Sequence, residues 1–376
     1  MKFKFDKRIE NFLKIILKNA QKIGLRVFFV GGIVRDNILN IKTSDIDILV
    51  LGNAIEFAKK LPDEIKIASF HKDFCTVKVE YDNLQIDIAS SRTELYPYSG
   101  GLPVLDSVGV FLDDYFLMRD FTVNSLYCEL KLINNEIIYE LIDLVNGLVD
   151  IKNKILKVLH NKSYIDDPTR ILRGLDFKYR FGFDFSKNDK KLICEYLNNI
   201  NYENMSKDRV LKVLRKILKS DFQDEIFREI IENKYYKIIQ KKSLELDFDK
   251  IYSINKGFNL NHSQICEFYL LLIEDNDIDK KNINSKLDLQ KEFSRYDLSN
   301  LAYYCYKTND SNVLEYFKIK DVKNIISGAD LLNLGYKQGV ELGNILNSLL
   351  DFKMNNPSIL KSKQDELNWV ILNFKI

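Results

Sequence analysis

The chain of 376 residues has few of the residues that build turns, cross-links or metal sites: 15 glycines, 5 prolines, 5 cysteines and 3 histidines. So little glycine and proline excludes a collagen-like or proline-rich chain and disfavours an all-β protein with many tight turns. The cysteines are odd in number, far apart and without a CxxC pair, so we expect neither a disulfide scaffold nor a thiolate zinc site. The three isolated histidines likewise disfavour a histidine-based metal hydrolase.

Long apolar runs and an excess of one charge are also missing. No run of about 18 apolar residues is present, so we expect no transmembrane helix. The first residues, MKFKFDKRIENFL, are charged throughout and lack the apolar stretch of a signal peptide. Lys and Arg number 56 against 54 Asp and Glu, which excludes a wholly basic nucleic-acid coat but leaves room for a local basic surface. We therefore expect a cytoplasmic protein of about two to three domains.

The residues that are present divide the chain into a mixed α/β head and a helical remainder. Apolar spacing predicts helices over 8–23, 34–40 and 53–61, with Gly24 and Asn53 as caps. Apolar or alternating runs predict strands over 26–30, 45–51, 74–81 and 84–89. The fold class is therefore α+β, with a mixed, partly antiparallel sheet in the head.

Two further stretches complete this organisation. Residues 91–111 hold three glycines and two prolines and read as a long loop, which in a compact domain is usually functional or disordered. From about Asp166 onward the pattern is almost wholly helical, with polar connectors at 242–260 and 275–290. The predicted helices are 167–181, 188–199, 206–219, 222–241 and 261–274.

The first motif that can carry chemistry is the sequence GGIVRD, from Gly31 to Asp36. Two glycines at the end of a strand, opening a short helix, let backbone amides approach a phosphate closely. The alternative is a tight strand-to-helix turn without a ligand. The segment is neither the GxGxxG dinucleotide fingerprint nor a P-loop, so a Rossmann-type oxidoreductase is disfavoured.

The second motif is a pair of aspartates, Asp45 and Asp47, in a predicted strand. Residues two apart in a strand point to the same face, and two carboxylates on one face repel unless a cation or proton lies between them. Oxygen ligands favour Mg²⁺, and Asp87 could bring a third carboxylate from a neighbouring strand. Such a set suits two-metal phosphoryl transfer. The alternative is a solvated acidic strand edge.

These two motifs together resemble the signature of the DNA polymerase β-like nucleotidyltransferases. More specifically they resemble the class II tRNA nucleotidyltransferases (CCA-adding enzymes) and their poly(A) polymerase relatives. Three later segments are similar to further motifs of that family, in the family's order. These segments are RDFTVNS at Arg119–Ser125, the spaced residues Asp143, Gly147 and Asp150, and DDPTRILR at Asp166–Arg173.

The resemblance implies a fold and a function. Residues 1–140 would be a polymerase β-like catalytic head, 141–220 a helical neck that selects the base, and 221–376 a helical body and tail that binds tRNA. The activity implied is template-independent addition of CCA to the tRNA 3′ end from CTP and ATP, with Mg²⁺ as cofactor and pyrophosphate as product. The alternatives are an A-adding enzyme, a poly(A) polymerase and a catalytically inactive tRNA-binding protein. The oligomeric state is left open.

The resemblance also implies roles for single residues. Gly32 and Arg35 would hold the triphosphate and Arg119 a ribose or phosphate. Asp167 and Arg170, three apart and expected on one helix face, would imitate a template base and select C and A through their exocyclic amines. The alternative for that segment is a helix start with Asp166 as N-cap. The implied metal ligands and catalytic residues are Asp45 and Asp47, with Asp87 as a third catalytic carboxylate, and the implied nucleotide-binding residues are Gly31, Gly32, Arg35, Asp36, Arg119, Asp120, Asn124, Asp167, Arg170 and Arg173.

Several positions depart from the family pattern. Met118 and Tyr115 stand where an arginine and an acid are usual, and Cys75 stands for a glycine. Asp176 replaces the third arginine of the neck helix, which exchanges a positive for a negative charge near the supposed triphosphate. The 91–111 segment matches the family's flexible loop, which argues against a CC-only enzyme. A basic stretch could follow tRNA phosphates or could be a solvated face: Lys207, Arg209, Lys212, Arg215, Lys216 and Lys219.

Overall fold

The computed structural model describes residues 3–42, 46–200, 206–279, 281 and 283–375. They pack as two compact units, one up to Lys241 and one from Lys242 onward. The predicted head and neck therefore lie within one unit, together with the first part of the predicted body. The predicted boundaries at 140 and 220 stay predictions.

The first unit is built around a mixed seven-stranded sheet. Its strands and those of one separate hairpin are β1 (Val27–Val30), β2 (Asp47–Val50), β3 (Lys66–His71), β4 (Thr76–Tyr81), β5 (Leu84–Ser90), β6 (Arg92–Leu95), β7 (Val104–Val108), β8 (Leu126–Ile133) and β9 (Glu136–Asp143). The sheet order is β3-β4-β5-β2-β1-β8-β9, in which β2 and β5 run parallel and all other neighbours antiparallel. The central strand β1 is buried at every residue, so the core lies on both faces of the sheet's middle.

Short helices pack around this sheet. They are α1 (Lys7–Lys22), α2 (Gly32–Ile38), α3 (Ala54–Ala58), α4 (Leu112–Tyr115) and α5 (Gly147–Asn153). The first begins where the Asp6 carboxylate accepts two backbone N–H groups, and it buries one apolar stripe that includes Phe12 and Ile16. Asn53 caps α3 as predicted, accepting from the backbone N–H groups of Ile55 and Glu56.

The predicted loop at 91–111 is wrong, because β6 and β7 pair there as an antiparallel hairpin. The Thr93 hydroxyl donates to Asp106 across the two strands at 2.8 Å. The glycines and prolines that suggested a loop are confined to the turn at 96–103 and to Gly109, just beyond β7. Composition over the whole segment therefore concealed two short strands that flank the turn.

The rest of the first unit is helical apart from one two-residue parallel strand pair. Its elements are β10 (Ile155–Leu156), α6 (Ser163–Asp166), α7 (Thr169–Phe181), β11 (Asp184–Phe185), α8 (Lys187–Asn198), α9 (Lys207–Ile217) and α10 (Gln223–Glu232). The predicted helix over 222–241 is too long. Lys234 adopts a left-handed conformation with φ of 59°, which ends α10 and leaves a short 3₁₀ turn at Tyr235–Ile238.

The second unit consists of helices in the residues described. They are α11 (Phe248–Phe258), α12 (His262–Glu274), α13 (Lys286–Phe293), α14 (Leu298–Thr308), α15 (Asn312–Ile319), α16 (Gly328–Asn333), α17 (Val340–Asn355) and α18 (Lys363–Asn373). The predicted connector at 242–260 is wrong, since α11 buries Ile251, Ile254 and Phe258 on one face. The α+β class with a helical C-terminal part is confirmed. Among the described helices, none combines the length and the apolar character needed to cross a membrane.

Candidate functional site

The glycine pair forms the junction between β1 and α2. Gly31 has φ of 71° and ψ of −127°, a conformation that residues with a side chain rarely adopt. A Cβ there would lie 2.4 Å from Nη2 of Arg119. Gly31 therefore lets the Arg119 guanidinium rest directly on the turn. Arg119 also lies within electrostatic range of Asp47, which helps to raise its pKa against the lowering effect of burial.

Two of the predicted carboxylates are neighbours in the sheet. Asp47 of β2 is the register partner of Asp87 of β5, and register partners project from the same face. Both are exposed, and Asp87 is paired with Nζ of Lys78 at 3.0 Å. The prediction that Asp87 stands on a strand beside Asp47 is confirmed. Asp45 lies outside the described residues.

Carboxylate oxygens are the ligands that hard divalent cations prefer, so the chemistry of Asp47 and Asp87 fits such an ion. Within the part of the chain that the structure describes, no three His, Cys, Asp or Glu side chains stand close enough to hold a metal. A set of three carboxylates would thus need Asp45. The ammonium group of Lys78 donates to the Asp87 carboxylate, so it would compete with a metal cation for that carboxylate.

Arg35, a predicted triphosphate ligand, is buried and engaged with protein groups. Its Nε and Nη2 donate to Oδ1 of Asp36 at 2.8 and 2.6 Å, and its Nη1 donates to Oδ1 of Asn124 at 2.6 Å. Its guanidinium also lies 5.0 Å from the ring centre of Phe177 and 4.5 Å from that of Phe181. Arg35 therefore ties α2 to α7 and to the RDFTVNS segment.

The contacts of Asn124 continue into a buried chain of charged groups. Its Nδ2 donates to Oδ1 of Asp120 at 3.0 Å, and Oδ2 of Asp120 lies 3.3 Å from Nε of Arg173. Burial raises the pKa of Asp120, but Arg173 and Arg119 outweigh it and hold that pKa below its usual value. Asp120 is therefore a carboxylate at neutral pH and binds the head to α7.

Asp167 stands ahead of α7 rather than on it. Its backbone is extended, and its Oδ1 accepts from the backbone N–H and the hydroxyl of Thr169 at 3.1 and 2.6 Å. The helix begins at Thr169, so the prediction that Asp167 and Arg170 share a helix face is wrong, as is the alternative of Asp166 as N-cap. Pro168 breaks the spacing on which both interpretations depended, because the residue before a proline disfavours helical angles.

Neither member of the predicted base-reading pair is exposed. Oδ2 of Asp167 accepts from Nη2 of Arg173 at 3.1 Å and lies 2.8 Å from Nη2 of Arg209. Burial raises the pKa of Asp167, whereas the two arginines lower it, and the result is a pKa below the usual value. Arg170 is 1% exposed and donates through Nη1 to the Ser163 hydroxyl at 2.8 Å.

The sequence places Arg209 either on a basic face that follows phosphates or on a solvated face, but its side chain points inward. Besides Asp167, it reaches the turn of the β6–β7 hairpin, where its Nη1 donates to the carbonyl of Gly101 at 3.2 Å. The same turn is fastened by the backbone N–H of Gly100, which donates to the carbonyl of Ile165 at 2.9 Å. The hairpin is therefore bound to the start of the helical region.

A cleft of about 440 Å³ brings part of the predicted set together. Its walls include five predicted residues, namely Gly32, Arg35, Asp36, Asp47 and Arg173. Other predicted residues do not line it; Asp120, Asn124, Asp167 and Arg170 lie in the buried contacts described above. Three cations that sequence reasoning did not assign to nucleotide binding also line it: Lys42, Arg180 and Lys216. The sequence held a signal for Arg180, because this arginine follows Asp176 by one helical turn and Asp176 stands where the family pattern has an arginine.

The spaced Asp143, Gly147 and Asp150 form a structural joint. The Asp143 carboxylate accepts the backbone N–H groups of Val145, Gly147 and Leu148. A Cβ at Gly147 would lie 2.4 Å from the carbonyl oxygen of Thr122, whose hydroxyl donates to Asp150 at 2.7 Å. The motif therefore holds α5 against the RDFTVNS segment.

The departures from the family pattern have local explanations. Cys75 has φ of 46°, a left-handed conformation that glycine adopts without strain. Tyr115 belongs to the apolar core of the head, and Sδ of Met118 accepts from the backbone N–H of Glu94 at 3.2 Å. Asp176 forms an ion pair with Arg180 at 3.0 Å. Tyr115, Met118 and Asp176 thus each have partners in this chain, whereas Cys75 keeps the backbone conformation that a glycine would favour.

Comparison with known proteins agrees with this geometry. Residues 27–157 match the family model of the poly A polymerase head domain. An A-adding tRNA nucleotidyltransferase of Aquifex aeolicus is 32% identical over 250 residues, 66% of this chain and 28% of that protein. A CCA-adding enzyme of Staphylococcus saprophyticus is 27% identical over 262 residues, 69% of this chain and 61% of that protein. The chain thus spans only part of these curated relatives.

The fold likeness extends along the whole chain. A solved structure of a CCA-adding enzyme, apo form II, superimposes with a TM-score of 0.73 and 23% identity, covering 98% of this chain and 97% of that one. At that identity the likeness concerns the fold. The family model and the sequence relatives agree with the resemblance drawn from the motifs. Residues 27–157 are thus similar to the poly A polymerase head domain, and the chain is similar in sequence to parts of curated tRNA nucleotidyltransferases.

Proposed function

We propose that this protein is an enzyme that adds nucleotides to the 3′ end of tRNA without a template, from CTP and ATP, and releases pyrophosphate. The observation that carries the proposal is the pairing of Asp47 with Asp87 in register, with Asp47 at a cleft that opens at the glycine turn. A phosphate near Gly32 would then lie between backbone amides and carboxylates suited to a cation.

Nucleotidyltransferases of this kind generally use divalent metal ions, and we propose Mg²⁺ here, held by Asp45 and Asp47 with Asp87 as a further catalytic carboxylate. Bound there, such an ion would lower the pKa of a primer 3′-hydroxyl and would neutralise charge on the α-phosphate. The chain's own residues orient the substrate: Gly32 offers backbone amides, and Arg119 lies over the turn for a ribose or phosphate oxygen.

For base selection we propose Asp167 and Arg170, with the acid accepting from an exocyclic amine and the arginine donating to ring acceptors. Cytosine and adenine carry such an amine, whereas uracil and guanine carry an oxygen in that place. Because Thr169, Arg173 and Arg209 already contact the Asp167 oxygens, one of these partners must yield when a base binds.

Full CCA addition is our first proposal, and A-addition to a CC end is the second. The second is favoured by the names of three relatives that are 32 to 35% identical, all A-adding enzymes. The hairpin at 91–111 stands where a CC-only enzyme would have a shortened loop, which argues against a CC-only enzyme. It does not distinguish CCA addition from A-addition. We further propose that the region from 221 onward binds tRNA and that the protein acts in the cytoplasm, where its five free cysteines would stay reduced.

The test uses purified protein, Mg²⁺ and three tRNA transcripts that lack CCA, end in C, or end in CC. Each is given CTP, ATP or both, and product lengths are read on a sequencing gel. Three added nucleotides on the bare tRNA only with both substrates indicate a CCA-adding enzyme. Extension of the CC end alone, by ATP alone, indicates an A-adding enzyme. Absence of pyrophosphate release with every transcript would leave a tRNA-binding protein and refute the proposal.

A further inference from the structure

The cleft at the glycine turn carries more positive than negative side chains. Its charged lining comprises five cations, Arg35, Lys42, Arg173, Arg180 and Lys216, and three anions, Asp36, Asp47 and Asp176. Two of the cations, Arg35 and Arg173, are engaged with buried carboxylates. The arginine that the motifs assigned to the triphosphate is therefore tied to protein partners, and the phosphates need other cations.

Arg180 is one such cation. It lies in the last turn of α7 and lines the cleft, its side chain is 45% exposed, and its Nη1 donates to Oδ2 of Asp176 at 3.0 Å. Its guanidinium also lies 4.9 Å from the ring centre of Phe181, which restrains it at the edge of the cleft. A guanidinium has five N–H donors in a planar fork that matches phosphate oxygens, and Asp176 takes one of them.

Lys216 is the second. It lies on the exposed side of α9 and lines the same cleft as Arg180 and Gly32. In the part of the chain that the structure describes, no carboxylate pairs with its ammonium group. An ammonium group that no carboxylate neutralises, at a concave surface, attracts multiply charged anions.

We propose that Arg180 and Lys216 form the subsite for the β- and γ-phosphates of the incoming nucleotide, and that Asp176 tunes its affinity by pairing with Arg180. This inference rests on the proposed function and assigns the leaving pyrophosphate to two residues. It also explains how the chain carries an aspartate at position 176: the positive charge stands one helical turn later, at Arg180. Asp176 weakens the anion site because it offsets one of its two charges.

The test measures binding of magnesium tripolyphosphate by titration calorimetry, with no nucleoside and no tRNA. Arg180→Gln and Lys216→Gln should each weaken binding about tenfold, the typical effect of losing one charge-assisted phosphate contact. Asp176→Asn should strengthen it several-fold, and Arg180→Lys should retain part of the affinity. A role in helix stability alone would give Asp176→Asn and Arg180→Gln the same sign.

Two matched controls use pairs of the same i, i+4 spacing away from the cleft. Arg228 pairs with Glu232 on α10 and Lys191 pairs with Glu195 on α8. Arg228→Gln and Lys191→Gln should leave tripolyphosphate binding unchanged. Wild-type affinity in both Arg180→Gln and Lys216→Gln, or no binding by the wild type, would overturn the inference. Binding that depends on both residues in a protein that extends no tRNA would instead refute the proposed function and leave the anion subsite in place.

Discussion

The two units of the molecule both bury charged side chains, but they do so in different ways. In the second unit the ion pair of Lys353 and Glu366 is enclosed in the core, with Glu366 fully buried. Glu366 also accepts the backbone N–H groups of Ile325 and Ile326 at 2.8 and 2.9 Å. Lys353 donates to the carbonyl of Lys323 at 2.6 Å. All of these contacts are with residues of the second unit.

In the first unit the buried charges form a chain that ends at a cleft. Arg35, Asn124, Asp120, Arg173 and Asp167 follow one another from the glycine turn to the start of α7. Arg35 and Arg173 line the cleft as well as the chain. The comparison teaches that a buried charge by itself indicates a role in stabilising the fold. A connected set that presents members at a concave surface indicates a binding site.

The largest expected effect is at Asp47, an exposed carboxylate that lines the cleft to which the chain of buried charges leads. Asp47→Ala should reduce nucleotidyl transfer by roughly 10²- to 10³-fold, as expected for the loss of one group that stabilises transition-state charge. Because Asp47 is exposed at the start of β2, the melting temperature should change little. Transfer is measured as pyrophosphate released per tRNA, and melting by circular dichroism. Near-normal transfer in this variant would contradict the assignment of Asp47 to the cation.

The second prediction breaks the enclosed pair. Glu366→Ala leaves Lys353 buried without its carboxylate and should lower the free energy of unfolding of the second unit by about 3 kcal/mol. Fluorescence of Trp369, the single tryptophan, reports this unit during urea unfolding. Glu315→Ala, which breaks partly exposed pairs with Lys286 and Lys318, is the control and should change stability less.

Binding of magnesium tripolyphosphate to the first unit should be the same in Glu366→Ala as in the wild type below the melting temperature. Weaker tripolyphosphate binding in that variant would show that the buried pair of the second unit serves the cleft after all. The distinction between the two kinds of buried charge would then fail.

Much of the fold could be predicted because its signals are local. The side chain of Asn53 caps α3 within three residues, and Asp82 and Asn83, both with positive φ, close the turn between β4 and β5. By contrast, β3 is exposed at every residue and is defined only by its pairing with β4, so no burial pattern marks it in the sequence. The short hairpin strands β6 and β7 were concealed for a different reason, the glycines and prolines of the turn between them and of Gly109.

The third prediction concerns Arg170, which is buried like Glu366 but is proposed to read a base. Arg170→Lys keeps the charge and loses the planar fork, so discrimination of CTP and ATP against UTP and GTP should fall about tenfold, the lower range for a bidentate base contact. The ratios of kcat/KM for the four nucleotides measure it. Ser163→Ala removes only a supporting hydroxyl and should change the ratios less. Unchanged ratios in Arg170→Lys would remove Arg170 from base selection.

The site was less predictable than the fold, for a physical reason. Motif order was enough to predict Asp47 beside Asp87, because both precede similar apolar residues on strands of one sheet. The contacts that bury the Arg35 guanidinium were not predictable, because Asn124 lies 89 residues further along the chain and Phe177 lies further still. Motifs indicate which residues take part in the chemistry. Long-range packing decides which of them remain available to a ligand.

The smallest expected effect comes from Arg209, which joins Asp167 to the hairpin turn. The folded-state pKa of Asp167 is lowered by Arg173 and Arg209 against burial, so their contribution to stability is present above the unfolded pKa of about 4 and is lost as pH falls through the folded pKa. Arg209→Gln raises that folded pKa. It should therefore cost on the order of 1 kcal/mol near pH 7, the typical net contribution of one hydrogen bond.

The difference in stability between Arg209→Gln and the wild type should shrink as the pH falls below about 4 and through the folded pKa of Asp167, first in the variant and then in the wild type, whose pKa is lower. Calorimetric unfolding from pH 7 to pH 3 measures it, with Arg228→Gln as an exposed control. The hydrogen bond from Arg209 to the carbonyl of Gly101 does not titrate, so it contributes the same amount at every pH. A difference that stays constant across the range would assign the whole effect to the hairpin contact. A stability difference that disappears at low pH would assign the effect of Arg209→Gln to the contact with Asp167, and so to the chain of buried charges that leads to the cleft.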